Sequence, residues 1–273
     1  MNKLPLQKRA QILHLLCEGN SLRGTSRLAD VAYNSVLKLA VDAGKACNEY
    51  QYKTLQNLPC KKLQLDEIWS FCYSKQKNTP LERRHLAGDV WTWVAIDADT
   101  KLVPSWCIGG RDAEAARVFV QDLASRLANR VQITSDGHKP YLEAIEGAFG
   151  GEVDYAMLVK IYNDPNEGNE KRYSPGEYVC AKKEKIVGSP DLCCVSTSYV
   201  ERQNLTMRMS IRRFTRLTNA FSKKLENHAY SVALHFMHYN FCRIHASLRV
   251  TPAMASGVAD HVWTMEEVAA LLN

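Results

Sequence analysis

No stretch of this 273-residue chain approaches the roughly 18 uninterrupted apolar residues of a membrane-spanning helix. The opening Met1-Asn-Lys-Leu-Pro-Leu-Gln-Lys-Arg9 has no apolar core of signal-peptide length. Both absences predict a cytoplasmic protein with no membrane partner. Also missing is any C-x-x-C spacing among the nine cysteines at 17, 47, 60, 72, 107, 180, 193, 194 and 242. An odd, unpatterned set argues for reduced thiols and against a disulfide framework, and adjacent Cys193 and Cys194 suit one tetrahedral zinc poorly. Finally, no tyrosine follows Tyr239. That excludes tyrosine-recombinase chemistry, which needs a downstream nucleophilic tyrosine, despite the His-x-x-x-Arg spacing of His245 and Arg249.

What is present is charge of uneven sign. Residues 1–65 carry ten Lys/Arg against four Asp/Glu, and residues 201–249 carry nine against two. The stretch 66–200 reverses this, with sixteen against twenty. Two basic segments flanking an acidic middle suit a polyanion held on both sides of a site that itself needs carboxylates.

Apolar spacing predicts a helix over Leu6–Leu16, a second capped by Ser21, and a third through Val36, Leu39, Ala40 and Ala43. Three short helices with tight connections resemble a helix-turn-helix DNA-binding module over residues 1–47, with Tyr33, Asn34, Ser35 and Lys38 as its exposed reading residues. The turn Ala29-Asp30-Val31-Ala32 lacks the usual glycine and a good N-cap. Residues 48–62, polar and containing Pro59, read as a linker.

Beyond it the period shifts to strands. Lys62–Phe71 alternates, with Asp66 on the face opposite Leu65. Val90–Ile96 and Leu102–Ile108 bracket a hairpin turn, and Pro104 predicts an edge position or bulge for its second arm. There follow a helix from Asp112 to about Leu127, a strand over 131–135 ending at Asp136, a helix over Pro140–Phe149 and a strand near Tyr155–Ile161. Residues 163–195 read as a loop or insertion. A helix is expected from about Ser196 to Phe214, a long one from Ser222 to His245 and a last one near Met265–Leu272. The order implies an α/β domain over 63–250, its mixed central sheet flanked by helices, and a C-terminal helical tail over 251–273.

Three carboxylates occupy places from which they can converge: Asp66 in the first strand, Asp136 at the end of the fourth, and Glu201 near the start of a helix. Asp66 and Asp136 become neighbours if their strands pair. Asp in mid-strand is disfavoured and wants a reason. Asp136-Gly137 also reads as an ordinary turn, and Glu201 as a carboxylate at a helix N-terminus. On a continuous helix Asn204, Arg208 and Arg212 follow Glu201 along one face, with Arg213 beside them, ready to meet phosphates. His138 and Lys139 just past Asp136 are further candidates. The histidines at 228, 235, 238 and 245 read as packing residues of an aromatic-rich helix.

Leu65-Asp-Glu-Ile-Trp-Ser70, Thr134-Ser-Asp-Gly-His138, Ser198-Tyr-Val-Glu-Arg-Gln-Asn204 and Arg212-Arg-Phe-Thr-Arg-Leu-Thr-Asn219 resemble the blocks of bacterial insertion-sequence transposases of the IS-one type. The resemblance spans about residues 3–270. It implies an RNase H-like catalytic domain with an Asp-Asp-Glu triad at Asp66, Asp136 and Glu201, and a basic residue two helical turns later, matched by Arg208. It implies two Mg²⁺ or Mn²⁺ ions, about 3.5–4 Å apart, cleavage of transposon ends and joining of the 3′-OH to target DNA. It further implies DNA as partner, a homodimer or larger assembly on it, and a nucleoid-associated location in a bacterial cytoplasm. Typical members add a cysteine-based zinc finger ahead of the helix-turn-helix, and no such cysteine set exists in this sequence. A DNA-binding regulator with an inert domain and a metal-dependent nuclease of the same fold are the alternatives.

Overall fold

The computed structural model describes residues 3–83, 87–163, 176–215 and 218–273. Its first three helices are Leu6–Cys17 (α1), Leu22–Ala29 (α2) and Tyr33–Thr54 (α3). Ser21 caps α2 by accepting from the Gly24 amide at 3.0 Å. Asp30 closes the same helix at φ 50°, taking the left-handed position that glycine usually fills and that Asp tolerates better than most residues. Ala32 gives α3 no side-chain cap.

α3 corrects the expected linker, because the helix runs on to Thr54 and the chain beyond it is pinned down. Cys47, Gln51 and Leu55 recur every four residues and are buried. Gln51 donates to the Cys47 and Ala233 carbonyls at 3.1 and 3.0 Å. No Gly or Pro interrupts residues 48–58, and polar composition concealed a buried face. α3 also approaches Leu225–Met237 (α7) so closely that a Cβ at Gly44 would lie 2.3 Å from the Tyr230 carbonyl oxygen.

The sheet has six strands: Lys62–Cys72 (β1), Gly88–Asp97 (β2), Trp106–Gly109 (β3), Val131–Ser135 (β4), Val153–Asn163 (β5) and Glu177–Val187 (β6). Their order is β3-β2-β1-β4-β5-β6. β1, β4 and β5 run parallel; β2 is antiparallel to β1 and β3, and β6 is antiparallel to β5. β3 stands at an edge, just beyond Pro104. The crossovers are Ala113–Ser125 (α4), capped by Asp112 through the Ala115 amide at 2.9 Å, and Pro140–Phe149 (α5).

One face of the sheet packs Leu63, Leu65, Trp93 and Ile133 against Phe119, Leu123, Tyr141 and Ile145 of α4 and α5. That core continues into Ile12, Leu13, Val36 and Ala43, so the N-terminal helices share it. The other face packs Ile68, Val94 and Ile96 against Ser198–Ser210 (α6) and α7 through Val200, Met207, Val232 and Phe236.

Three further expectations need correction. β6 lies inside the segment read as an insertion; its exposed lysines at 182, 183 and 185 hide strand alternation and suit an edge strand. Residues 164–175 of that segment lie outside the described residues. α6 ends at Ser210, where Ile211 turns extended (φ −107°, ψ 106°) and buries its side chain in the second core, and Arg212–Phe214 form a short 3₁₀ turn. α7 begins at Leu225 and passes at His238–Cys242 into a π-helical turn, which ends it before His245. In the tail, Pro252–Ala255 (α8) and Met265–Ala270 (α9) follow, and Arg9 donates to the Ala269 carbonyl at 3.1 Å, tying α9 to α1. No helix among the described residues is long and apolar enough to cross a membrane.

Candidate active site

The register decides which carboxylates meet. Leu65 pairs with Ser135, so Asp66 in β1 and Asp136 just past the end of β4 fall side by side. Oxygens of Asp66, Glu67 and Asp136 lie within 4.8 Å of one another. Asp136 is fixed by its own turn, Oδ1 accepting from the His138 amide at 2.9 Å. Asp66 Oδ2 accepts from Asn204 at 2.8 Å. Burial, then the nearby Glu67, Asp136 and Glu201, push Asp66 up to about 7, against one opposing backbone hydrogen bond.

Glu201 sits in the first turn of α6, across a cavity of about 250 Å³ lined by Asp66, Glu67, Ile68, Glu201, Asn204, Leu205 and Arg208. Its Oε1 accepts from Thr197 at 2.5 Å and pairs with Lys160 of β5. Among the described residues its Oε2 has no hydrogen-bond partner. Glu201 therefore faces Asp66 but is not part of the tight cluster with Asp136.

Glu67 belongs to that cluster by distance, yet both its oxygens are occupied. Oε1 accepts from Arg111 Nε at 2.6 Å and Oε2 from the Tyr141 hydroxyl at 3.1 Å, with the side chain fully buried. We read it as a positioning residue. The Arg111 it holds stacks 4.8 Å over Trp91 and reaches within 4.0 Å of Asp136. Glu67, Arg111 and Lys160 were not singled out from sequence. The available signal for Glu67 was its parity: it shares the face of Leu63 and Leu65, where a carboxylate must find partners.

Arg208 is the one expected phosphate-binding arginine that lines the carboxylate cavity. Asn204 lines the same cavity and turns its amide to Asp66. Arg212 and Arg213 leave that face because α6 stops at Ser210; with Tyr33 they line a separate cavity of about 740 Å³. Asn34, Ser35 and Lys38 are exposed on the first turns of α3, and Lys139 is exposed at the start of α5. Arg216 and Leu217 lie outside the described residues. The buried His228 and His235 pack in the second layer, held neutral by burial at about 3.

No protein-family model and no curated protein matches the chain. Among solved structures, a cryo-EM structure of the piggyBac transposase synaptic complex with hairpin DNA is similar to it. The TM-score is 0.42 and the identity 10%, over 98% of this chain and 69% of that one.

Proposed function

We propose that the chain is a metal-dependent DNA transposase, in which an RNase H-like domain cleaves transposon ends and joins the 3′-OH to target DNA. The observation that carries this reading is the meeting of Asp66 and Asp136 on adjacent parallel strands, with Glu201 on a helix across the cavity. The strand order β3-β2-β1-β4-β5, with only β2 reversed, supports the RNase H-like assignment.

The residues fit a hard divalent cation. An all-oxygen donor set, with one carboxyl pushed up to about 7 by its surroundings, suits Mg²⁺ or Mn²⁺. Asp66, Asp136 and Glu201 would hold the ions; when bound, these supply a nucleophile at neutral pH and neutralise charge on the phosphoryl oxygens. The chain's own residues do the positioning. Asn204 fixes the Asp66 carboxylate, Glu67 aims Arg111 towards Asp136, and Lys160 with Thr197 hold Glu201. Arg208 meets a phosphate at the cavity. The exposed start of α3, at Tyr33, Asn34, Ser35 and Lys38, reads DNA in a helix-turn-helix manner, and two chains act on paired ends.

The test is cleavage and joining of terminal-repeat DNA with and without Mg²⁺, by the wild type and by Glu201→Gln. Metal-dependent products lost in the variant are expected; products from Glu201→Gln at the wild-type rate would sink the assignment. The ion pair of Glu201 with Lys160 favours a second reading, a DNA-binding regulator whose domain is inert. That protein would bind the same DNA without any divalent ion and never cut it.

A further inference from the structure

The larger cavity, about 740 Å³, opens between the N-terminal helices and the segment joining α6 to α7. Its lining includes Arg23, Arg212, Arg213, Lys223 and Lys224 and, among the described residues, no Asp or Glu. Arg213 is partly buried, donates to Ser222 Oγ and makes no ion pair among the described residues. An uncompensated cation in such a place favours an anionic ligand. Two aromatic rings, Tyr33 and Phe221, also line the space.

His235, 3% exposed, also lines the cavity. Its Nε2 lies 3.4 Å from the Gln203 amide nitrogen, which donates, so Nε2 accepts and the ring proton sits on Nδ1. Nδ1 is buried without a partner among the described residues. Cations without anions beside aromatic faces are the chemistry of a single nucleic-acid strand, phosphates on the rim and bases stacked.

We propose that this cleft binds an unpaired stretch of DNA strand whose phosphodiester enters the carboxylate site. The choice of DNA rests on the transposase reading; the cleft's anionic ligand does not. α6 links the two places, Glu201 at its start and Ser210 at the cleft. Nine residues at 1.5 Å span about 14 Å, a gap that a short run of unpaired nucleotides can bridge.

Fluorescence anisotropy of the full chain tests this, with a labelled oligothymidylate and a duplex of equal length, in EDTA, across about 50–200 mM salt. Because no divalent ion is present, the result is independent of whether the protein cleaves. The wild type should prefer the single strand. Replacing the exposed Arg23, Lys223 and Lys224 together by alanine should weaken that binding at least tenfold and flatten the salt slope by about 2, at roughly 0.7 per lost phosphate. Phe221→Ala should cost about tenfold in single-strand affinity with little change in slope. Equal binding of duplex and strand, or a triple variant with wild-type affinity and slope, overturns the proposal.

Discussion

β1 carries polar residues on both faces, and the two faces treat them differently. Towards α4 and α5, Glu67 is met by Arg111 and Tyr141, and nearby Ser135 bonds to the Tyr155 hydroxyl at 2.7 Å. Towards α6 and α7, Gln64 and Ser70 are hydrogen-bonded, but Asp66 has one side-chain hydrogen bond, and Thr92 Oγ1, Asn204 Oδ1, His228 Nδ1 and His235 Nδ1 are buried without partners among the described residues. On the first side, His138 Nε2, 3.9 Å from Glu67 beside the carboxylates, and Asp97 Oδ1 are likewise buried without partners among the described residues. Buried polar groups are normally satisfied, and shortfalls gather where a ligand completes them. Glu67, with both oxygens met, holds the fold; Asp66, with a single side-chain partner, is where chemistry is expected.

The sharpest way to break this contrast is to neutralise the two neighbours in turn. Asp66→Asn should lower metal-dependent cleavage by at least about 10³-fold, some 4 kcal/mol of barrier, yet make the protein more stable in alkali. The sign follows from the raised pKa. Between pH about 4 and about 7 the unfolded chain gives up this proton before the folded one, so stability falls as pH rises and the full penalty stands above 7. Thermal unfolding at pH 8 should show a gain of about 1–2 kcal/mol for the variant, discounted for the carboxylate's partial contact with water, shrinking to nothing near pH 4. A variant destabilised at pH 8 would count against a strained Asp66.

Glu67→Gln should do the reverse. It weakens a pair whose carboxylate is fully buried but whose arginine is partly open, so a stability loss of about 2 kcal/mol is expected in urea unfolding, below the usual range for dry pairs. Cleavage should fall far less than in Asp66→Asn. Loss of all cleavage without loss of stability would make Glu67 the third ligand in place of Glu201.

A pH effect tests the face towards α7. Burial first, then Arg213 beside one and His238 and Arg243 beside the other, holds His228 and His235 neutral at about 3. Their folded-state values are depressed, so the unfolded chain binds protons first. Stability is intact above about 6.5 and is lost as pH falls towards 3, by up to about 1.4 kcal/mol per pH unit for each histidine. His228→Gln should remove one proton from that slope between pH 6 and 4. An unchanged slope would place the acid sensitivity elsewhere.

Much of this arrangement was legible where apolar period and function coincide. The strand alternation around Asp66, the apolar run ending at Asp136 and the capped helix at Asp112 follow from local rules that tertiary packing obeyed. Where packing overrode them, the reading failed. A helical period continues through Arg212, but burial of Ile211 in the second core breaks α6 and sends both arginines to the other cavity. The polar run after Cys47 looked like a linker, because a buried glutamine bonded to another helix leaves no apolar signature. The pairing of Glu201 with Lys160 depends on β5 and α6 meeting in space, which spacing along one chain does not encode.

That pairing sets the smallest and most discriminating test. Lys160 and Glu201 are both part exposed, and pairs of this kind are worth at most about 1 kcal/mol. Lys160→Met should therefore leave unfolding within about 0.5 kcal/mol of wild type. Near the carboxylates, however, the ammonium competes with any cation that Asp66 and Glu201 attract, so its removal should lower the Mg²⁺ concentration for half-maximal cleavage by about three- to tenfold, up to 1.4 kcal/mol. An unchanged Mg²⁺ requirement with cleavage lost at saturating metal would mean that Lys160 positions Glu201. An unchanged requirement with cleavage intact would mean that Glu201 stands outside the site, and the catalytic carboxylates would then be confined to the cluster around Asp66, Glu67 and Asp136.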